Sequence, residues 1–211
     1  MIRVMVADDH AIIREGLRRV LEQNAGMKVV AEAENGIRAL DLAKETSPDV
    51  IILDISMPEM DGFDCARSLR ALVPHAKILV LTVHDNVQYA IRILEAGAHG
   101  FMCKDMATKD IIDAIQVVLA GRTYICPEIS EKLASQFRLR RGDTDSLESL
   151  STREFQVLRH LGSGHSLKDT ARALGISEKT VSTYRMRILE KLNLRTNAQL
   201  IRYALEKRLI E

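Results

Sequence analysis

The sequence predicts an α/β doubly wound (βα)5 unit followed by a smaller all-α unit of four helices. Three observations predict it. Over residues 1–120, five short apolar runs alternate with helix-period segments, the mark of successive βα units around a parallel sheet. From residue 150 onward the apolar residues keep only helical spacing. Charge divides in the same place: residues 1–120 carry 13 basic against 18 acidic side chains, residues 121–150 carry 5 of each, and residues 151–211 carry 12 against 6. A net +6 on so short a tail makes a polyanionic partner worth testing, although a solvated surface also accounts for it.

Strands are expected near 2–7, 27–33, 49–53, 77–82 and 100–103, with Val50, Ile51, Ile52 and Leu53 buried on both faces. Helices fill the gaps. The first places Ile13, Leu17, Val20 and Leu21 at helical spacing, the fourth Val87, Ala90, Ile91 and Leu94, and the fifth Ile111, Ile112, Ile115 and Leu119. These stripes are core. The boundaries read as 1–121 for the first domain, 122–148 for a linker with a short helix near 128–137, and 149–211 for the second domain. Ile129, Leu133 and Phe137 share one side of that linker helix, and the charged, aperiodic stretch after it reads as a tether. Arg138, Arg140 and Arg141 there could touch a phosphate backbone, or simply be solvated.

Cysteines 65, 103 and 126 are odd in number and lack C-x-x-C spacing, which indicates neither a disulfide framework nor a zinc site. No apolar run reaches the length of a membrane span or secretory signal, so a cytoplasmic chain with no membrane partner is expected.

Four strand ends carry matched chemistry: Asp8 and Asp9, Asp54, Thr82 and Lys104. In an open parallel sheet these ends border one crevice, where ligands bind. Three crowded carboxylates raise one another's pKa unless a cation intervenes, and an all-oxygen set suits Mg²⁺. The alternative for Asp8 and Asp9 is that they cap the helix beginning near Ala11. A carboxylate beside Mg²⁺ and an ammonium can attack a phosphoryl group, with Lys104 offsetting oxygen charge and Thr82 donating a hydrogen bond. A Mg²⁺-dependent phosphohydrolase fits the same acids. Ser56, however, stands where such enzymes commonly have a second Asp, and no cap domain is evident. Met57-Pro58 and Asp61-Gly62 supply turn chemistry, with Gly62 expected to take backbone angles that other residues resist.

Asp8-Asp9, LDISMPEMDG at 53–62, Leu81-Thr82 and GFMCK at 100–104 resemble a response-regulator receiver domain, which has a flavodoxin-like fold. The resemblance implies that Asp54 accepts phosphate from a sensor histidine kinase. It further implies Mg²⁺ on Asp9, Asp54 and the Ser56 backbone carbonyl, assisted by Asp8. Thr82 and Phe101 take the family's switch positions, although a lone strand Phe would otherwise read as packing. His84 falls where family residues influence hydrolysis of the acyl phosphate. Such a domain is not a turnover enzyme.

In the tail, Ser151 and Glu154 have capping-box spacing, and Leu150 with Phe155 that of a hydrophobic staple. A second helix runs from near Ser166 to a stop at Gly175, and Ser177 caps a third, giving a helix-turn-helix signature. On the third helix Val181, Tyr184, Ile188 and Leu192 share one face, with Lys179, Ser182, Thr183, Met186, Arg187 and Glu190 broadly opposite. Residues 150–194 resemble the LuxR-type DNA-binding domain, and the whole chain resembles a NarL/FixJ-family two-component response regulator. By that likeness Ser182, Thr183 and Met186 take base-contacting positions on double-stranded DNA, while Lys179, Thr180, Arg185, Arg187 and Lys191 hold phosphates or flanking bases. Ser182 and Tyr184 depart from the Lys and His common in the family and come closer to GacA- and UvrY-like members. Met186 either meets a thymine methyl or packs on the neighbouring helix. The last helix, near 198–208, presents Leu200, Ile201, Ala204 and Leu205 for the core or for a homodimer contact. The function expected is phosphorylation-controlled dimerisation and DNA binding, and the alternative is DNA binding controlled independently of phosphorylation.

Overall fold

The computed structural model describes residues 1–24, 26–139 and 146–210. They form two compact units, Met1–Glu131 and Lys132–Glu211. The first alternates β1 (Ile2–Ala7), α1 (Ala11–Glu22), β2 (Met27–Ala33), α2 (Gly36–Thr46), β3 (Val50–Leu53), α3 (Gly62–Leu72), β4 (Lys77–Thr82), α4 (Val87–Glu95), β5 (Gly100–Cys103) and α5 (Ala107–Leu119). A sixth strand, β6 (Tyr124–Ile125), leads into α6 (Pro127–Leu139). The sheet is parallel throughout, in the order β2-β1-β3-β4-β5-β6.

Helical crossovers put covering layers on both faces of a parallel sheet, so its central strands need apolar residues at every position. All four residues of β3 are buried accordingly. Val4, Val6, Ile52, Leu79, Leu81 and Met102 pack with Leu17 and Leu21 of α1 and Ile111 and Ile115 of α5. Met5, Ile51, Val80 and Phe101 alternate with them, and by the two-residue strand period point to the opposite face. Each large side chain so buried contributes roughly 1.5–3 kcal/mol.

Two expectations need correction. The segment read as linker from residue 122 begins inside the sheet, because Tyr124 and Ile125 pair with Gly100 and Phe101. Gly62 is required for close approach rather than for an unusual φ, since a Cβ there would lie 2.5 Å from Ile55 Cα. The left-handed residue of that loop is Glu59, at φ 68°.

The second unit contains α7 (Thr152–Gly162), α8 (Leu167–Ala173), α9 (Glu178–Lys191) and α10 (Asn197–Glu206). Ser151 and Glu154 complete a capping box on α7, and Thr196 and Gln199 complete another on α10. Ser166 and Ser177 cap α8 and α9 through the backbone N–H three residues on. The turn between α8 and α9 passes through Gly175 at φ 62°, a conformation that costs glycine little. Phe155, Leu158, Val181, Ile188, Leu200 and Ala204 are fully buried at the centre of this unit. No helix among the described residues is long and apolar enough to cross a membrane.

Candidate functional site

Parallel pairing brings the carboxyl ends of β1, β3, β4 and β5 to one edge of the sheet. Asp8 follows β1, Asp54 follows β3, Thr82 ends β4 and Lys104 follows β5. Lys104 Nζ lies 2.7 Å from Asp54 Oδ2 and 2.7 Å from Asp8 Oδ2, with Asp8 and Asp54 almost fully buried. Asp54 Oδ1 accepts a hydrogen bond from the Ser56 backbone N–H at 3.1 Å. Sequence positions from 8 to 104 thus converge on one pocket.

Neither Asp8 nor Asp9 caps α1. His10 occupies the N-cap position, and no side chain makes the capping bond. Asp8 Oδ1 instead accepts from the His10 backbone N–H at 2.8 Å, and His10 Nδ1 lies 2.7 Å from Asp9 Oδ1. Arg14 anchors this turn by donating to the Asp8 carbonyl at 2.6 Å.

Burial pushes the Asp54 carboxyl above its ordinary range, against the opposing pull of the Lys104 ammonium. Burial alone would lower Lys104, but its hydrogen bonds to Asp54 and Asp8 outweigh it and hold the ammonium above its usual range. The pocket thus holds more desolvated negative charge than one lysine offsets. Ligand atoms of Asp8, Asp9, His10 and Asp54 all lie within 4.8 Å of one another. A hard divalent cation such as Mg²⁺ fits the three carboxylates, while His10, engaged with Asp9, adds a nitrogen that the sequence reading did not place there. Its place directly after Asp8-Asp9 was the available signal.

Thr82 and Phe101 are fully buried. Thr82 Oγ1 accepts from the His84 backbone N–H at 3.2 Å. The His84 ring stacks on Tyr89 with centroids 4.4 Å apart, and its Nε2 lies 3.2 Å from Ser56 Oγ. His84 therefore bridges the loops after β3 and β4, a contact that spacing alone does not reveal.

On α9, Val181 and Ile188 are fully buried, Leu192 is nearly so and Tyr184 is half-buried, as the angular reading expects. The other side presents Lys179, Thr183, Met186 and Arg187 exposed, with Thr180, Ser182 and Arg185 half-buried. Met186 is 65% exposed, so most of its side chain is open to solvent. Thr183 Oγ1 donates to the Lys179 carbonyl at 3.0 Å, and Arg185 Nε donates to Asn197 Oδ1 at 2.5 Å. Lys191 stands apart from this group: its Nζ is 2.7 Å from the buried Glu154 carboxylate and 2.9 Å from the Ser149 carbonyl. Its charge is engaged in holding α9 to α7. Arg140 and Arg141 and the Arg138 side chain lie outside the described residues.

Residues 4–116 match the family of response regulator receiver domains, and residues 148–204 match bacterial regulatory proteins of the luxR family. Response regulator GacA of Pseudomonas aeruginosa is 36% identical over 100% of this chain and 99% of its own length. Oxygen regulatory protein NreC of Staphylococcus epidermidis is 35% identical over 99% of each chain. A structure of RcsB from Salmonella enterica serovar Typhimurium, bound to a promoter in the presence of the phosphomimetic BeF3⁻, superposes with a TM-score of 0.78. That pair shares 27% identity over 96% of this chain and 97% of the other. With a receiver and a luxR-type domain matched in order along its length, this chain belongs to the NarL/FixJ family of two-component transcriptional response regulators.

Proposed function

We propose that Asp54 accepts a phosphoryl group from a sensor histidine kinase and that the acyl phosphate controls dimerisation and DNA binding. The observation that carries this reading is the Lys104 ammonium within 2.7 Å of both Asp54 and Asp8 in a buried pocket. An Asp54 oxygen attacks phosphorus, the bond from phosphorus to the donor's imidazole nitrogen breaks, and the imidazole departs with the electron pair. Lys104 then turns its ammonium from the Asp54 carboxylate toward a phosphoryl oxygen. Thr82, one strand away, releases its bond from the His84 N–H and donates its hydroxyl to another. Phe101, buried beside this strand end, answers the Thr82 movement. Mg²⁺ held by Asp8, Asp9, Asp54 and the Ser56 carbonyl would supply further charge neutralisation. The receiver acts on itself once per signal and does not turn over.

For the output, Ser182, Thr183 and Met186 meet base edges of double-stranded DNA. Lys179, Thr180, Arg185 and Arg187 hold phosphates or flanking bases. Two copies bind a two-fold operator.

The test is full-length protein with Mg²⁺ and acetyl phosphate, wild type against Asp54→Asn, reading phosphate incorporation and operator affinity. Incorporation and gained affinity in wild type alone are expected. Equal affinity with and without phosphodonor supports the phosphorylation-independent alternative, and release of many phosphates per chain supports a phosphohydrolase.

A further inference from the structure

Cys103 ends β5 and Cys126 directly follows β6, and the pairing of Gly100 with Tyr124 and Phe101 with Ile125 brings these cysteines together. Their Sγ atoms are 3.4 Å apart. Both are free thiols, Cys126 fully buried and Cys103 at 8% exposure. The third cysteine, Cys65, sits on α3 against the Gly36 carbonyl. We propose that Cys103 and Cys126 are a redox modification site that closes reversibly to a disulfide in response to a peroxide.

A disulfide places its sulfurs about 2.05 Å apart, so the pair must approach by roughly 1.4 Å. A hydrogen bond between the two thiols already sets them facing each other. It also divides their acidities. The bond from Cys103 pulls the Cys126 thiol below its usual range, and the backbone N–H groups of Ile129, in the first turn of α6, and of Cys103, at the end of β5, help it. The same bond and burial push Cys103 upward. Burial pushes isolated Cys65 up to about 12, which leaves it a poor nucleophile. Access comes from position: β6 is the edge strand and only two residues long, so a small opening at that edge admits peroxide.

The step balances. The Cys126 thiolate attacks one peroxide oxygen, forming an S–O bond as the O–O bond breaks, and the departing hydroxide takes a proton to become water. Cys103 sulfur then attacks the Cys126 sulfenic sulfur, an S–S bond forms, the S–O bond breaks, and hydroxide leaves as water with the Cys103 proton. Two thiols are oxidised and one peroxide yields two waters. Return requires a dithiol reductant acting by exchange.

Lys104 is the next residue after Cys103, so the disulfide would tether the strand end that holds the ammonium beside Asp54. That consequence rests on the phosphoacceptor reading, whereas the disulfide does not. The test treats reduced full-length protein with hydrogen peroxide, alkylates it after denaturation and maps the peptides. Loss of two of the three thiols, a Cys103–Cys126 crosslink, retention of Cys65 and restoration by dithiothreitol are expected. Cys103→Ser or Cys126→Ser should abolish the crosslink, and Cys65→Ser should retain it. Three alkylated thiols after peroxide, a bond to Cys65, a bond between chains, or sulfinic acid without a crosslink would each overturn the proposal. Peptide mapping needs no phosphodonor, so failure of Asp54 to label leaves that decision intact.

Discussion

Replacing Lys191 by Met keeps the aliphatic stem and removes the ammonium that joins α9 to α7. The Glu154 carboxylate it leaves behind belongs to a residue only 3% exposed and keeps the Ser151 backbone N–H at 2.7 Å as a partner. A hydrogen bond to a charged group contributes about 1.5–3 kcal/mol. The Lys191 side chain is 37% exposed, so water can replace part of that bond and the low end applies, about 1.5–2 kcal/mol. Amide hydrogen exchange in α7 and α9 should therefore quicken by a factor of roughly 10–30. Burial opposes ionisation of Glu154, yet the Lys191 ammonium and the Ser151 N–H outweigh it and hold its pKa below the ordinary value. A depressed carboxylate contributes stability that is complete above its unfolded pKa, about 4.3, and lost as pH falls through the folded value. The difference between wild type and Lys191→Met should accordingly be full at neutral pH and shrink in acid. A lysine bound to DNA phosphate would behave otherwise, and its loss would lower the salt slope of operator binding by about 0.9. Unchanged exchange together with that drop in slope would refute the structural role argued for Lys191.

Lys104→Gln leaves Asp8 and Asp54 without their shared cation, and initial labelling of Asp54 by acetyl phosphate should fall by roughly 10²–10³, read by intact mass against time. Gly62→Ala drives a Cβ to 2.5 Å from the Ile55 backbone and should cost about 1–3 kcal/mol in chemical denaturation, since backbone cannot rotate aside as a side chain can. Met186→Ala, at an exposed position, should leave stability within about 0.5 kcal/mol. Its effect should appear as about 1–3 kcal/mol of lost discrimination at single operator positions, measured by competition binding.

Alternation of apolar runs and helical stripes made the five long strands legible, because β3 and its neighbours bury both faces and tolerate little else. The acid, hydroxyl and lysine positions were legible for a topological reason: strand ends in a parallel sheet share one edge. What escaped was short or depended on register. Two residues of β6 carry no periodicity, and Tyr124 and Ile125 become a strand only because β5 offers an open edge. Cys103 with Cys126, Ser56 with His84, and Glu154 with Lys191 are each more than twenty positions apart. Nothing in their local spacing marks them as partners. Gly62 was read as a backbone-angle residue, but steric contact with Ile55 is not written in a turn motif.

The β6 edge bears on how this protein can be divided. A fragment ending at residue 121 would discard the Tyr124 N–H that reaches the His99 carbonyl at 3.2 Å and the Cys126 N–H that reaches the Phe101 carbonyl at 3.0 Å. β5 would then become a bare margin, open to pairing with other chains. An expression boundary beyond Glu131 retains both bonds and the first turn of α6, and it should separate a monomeric receiver preparation from an aggregating one.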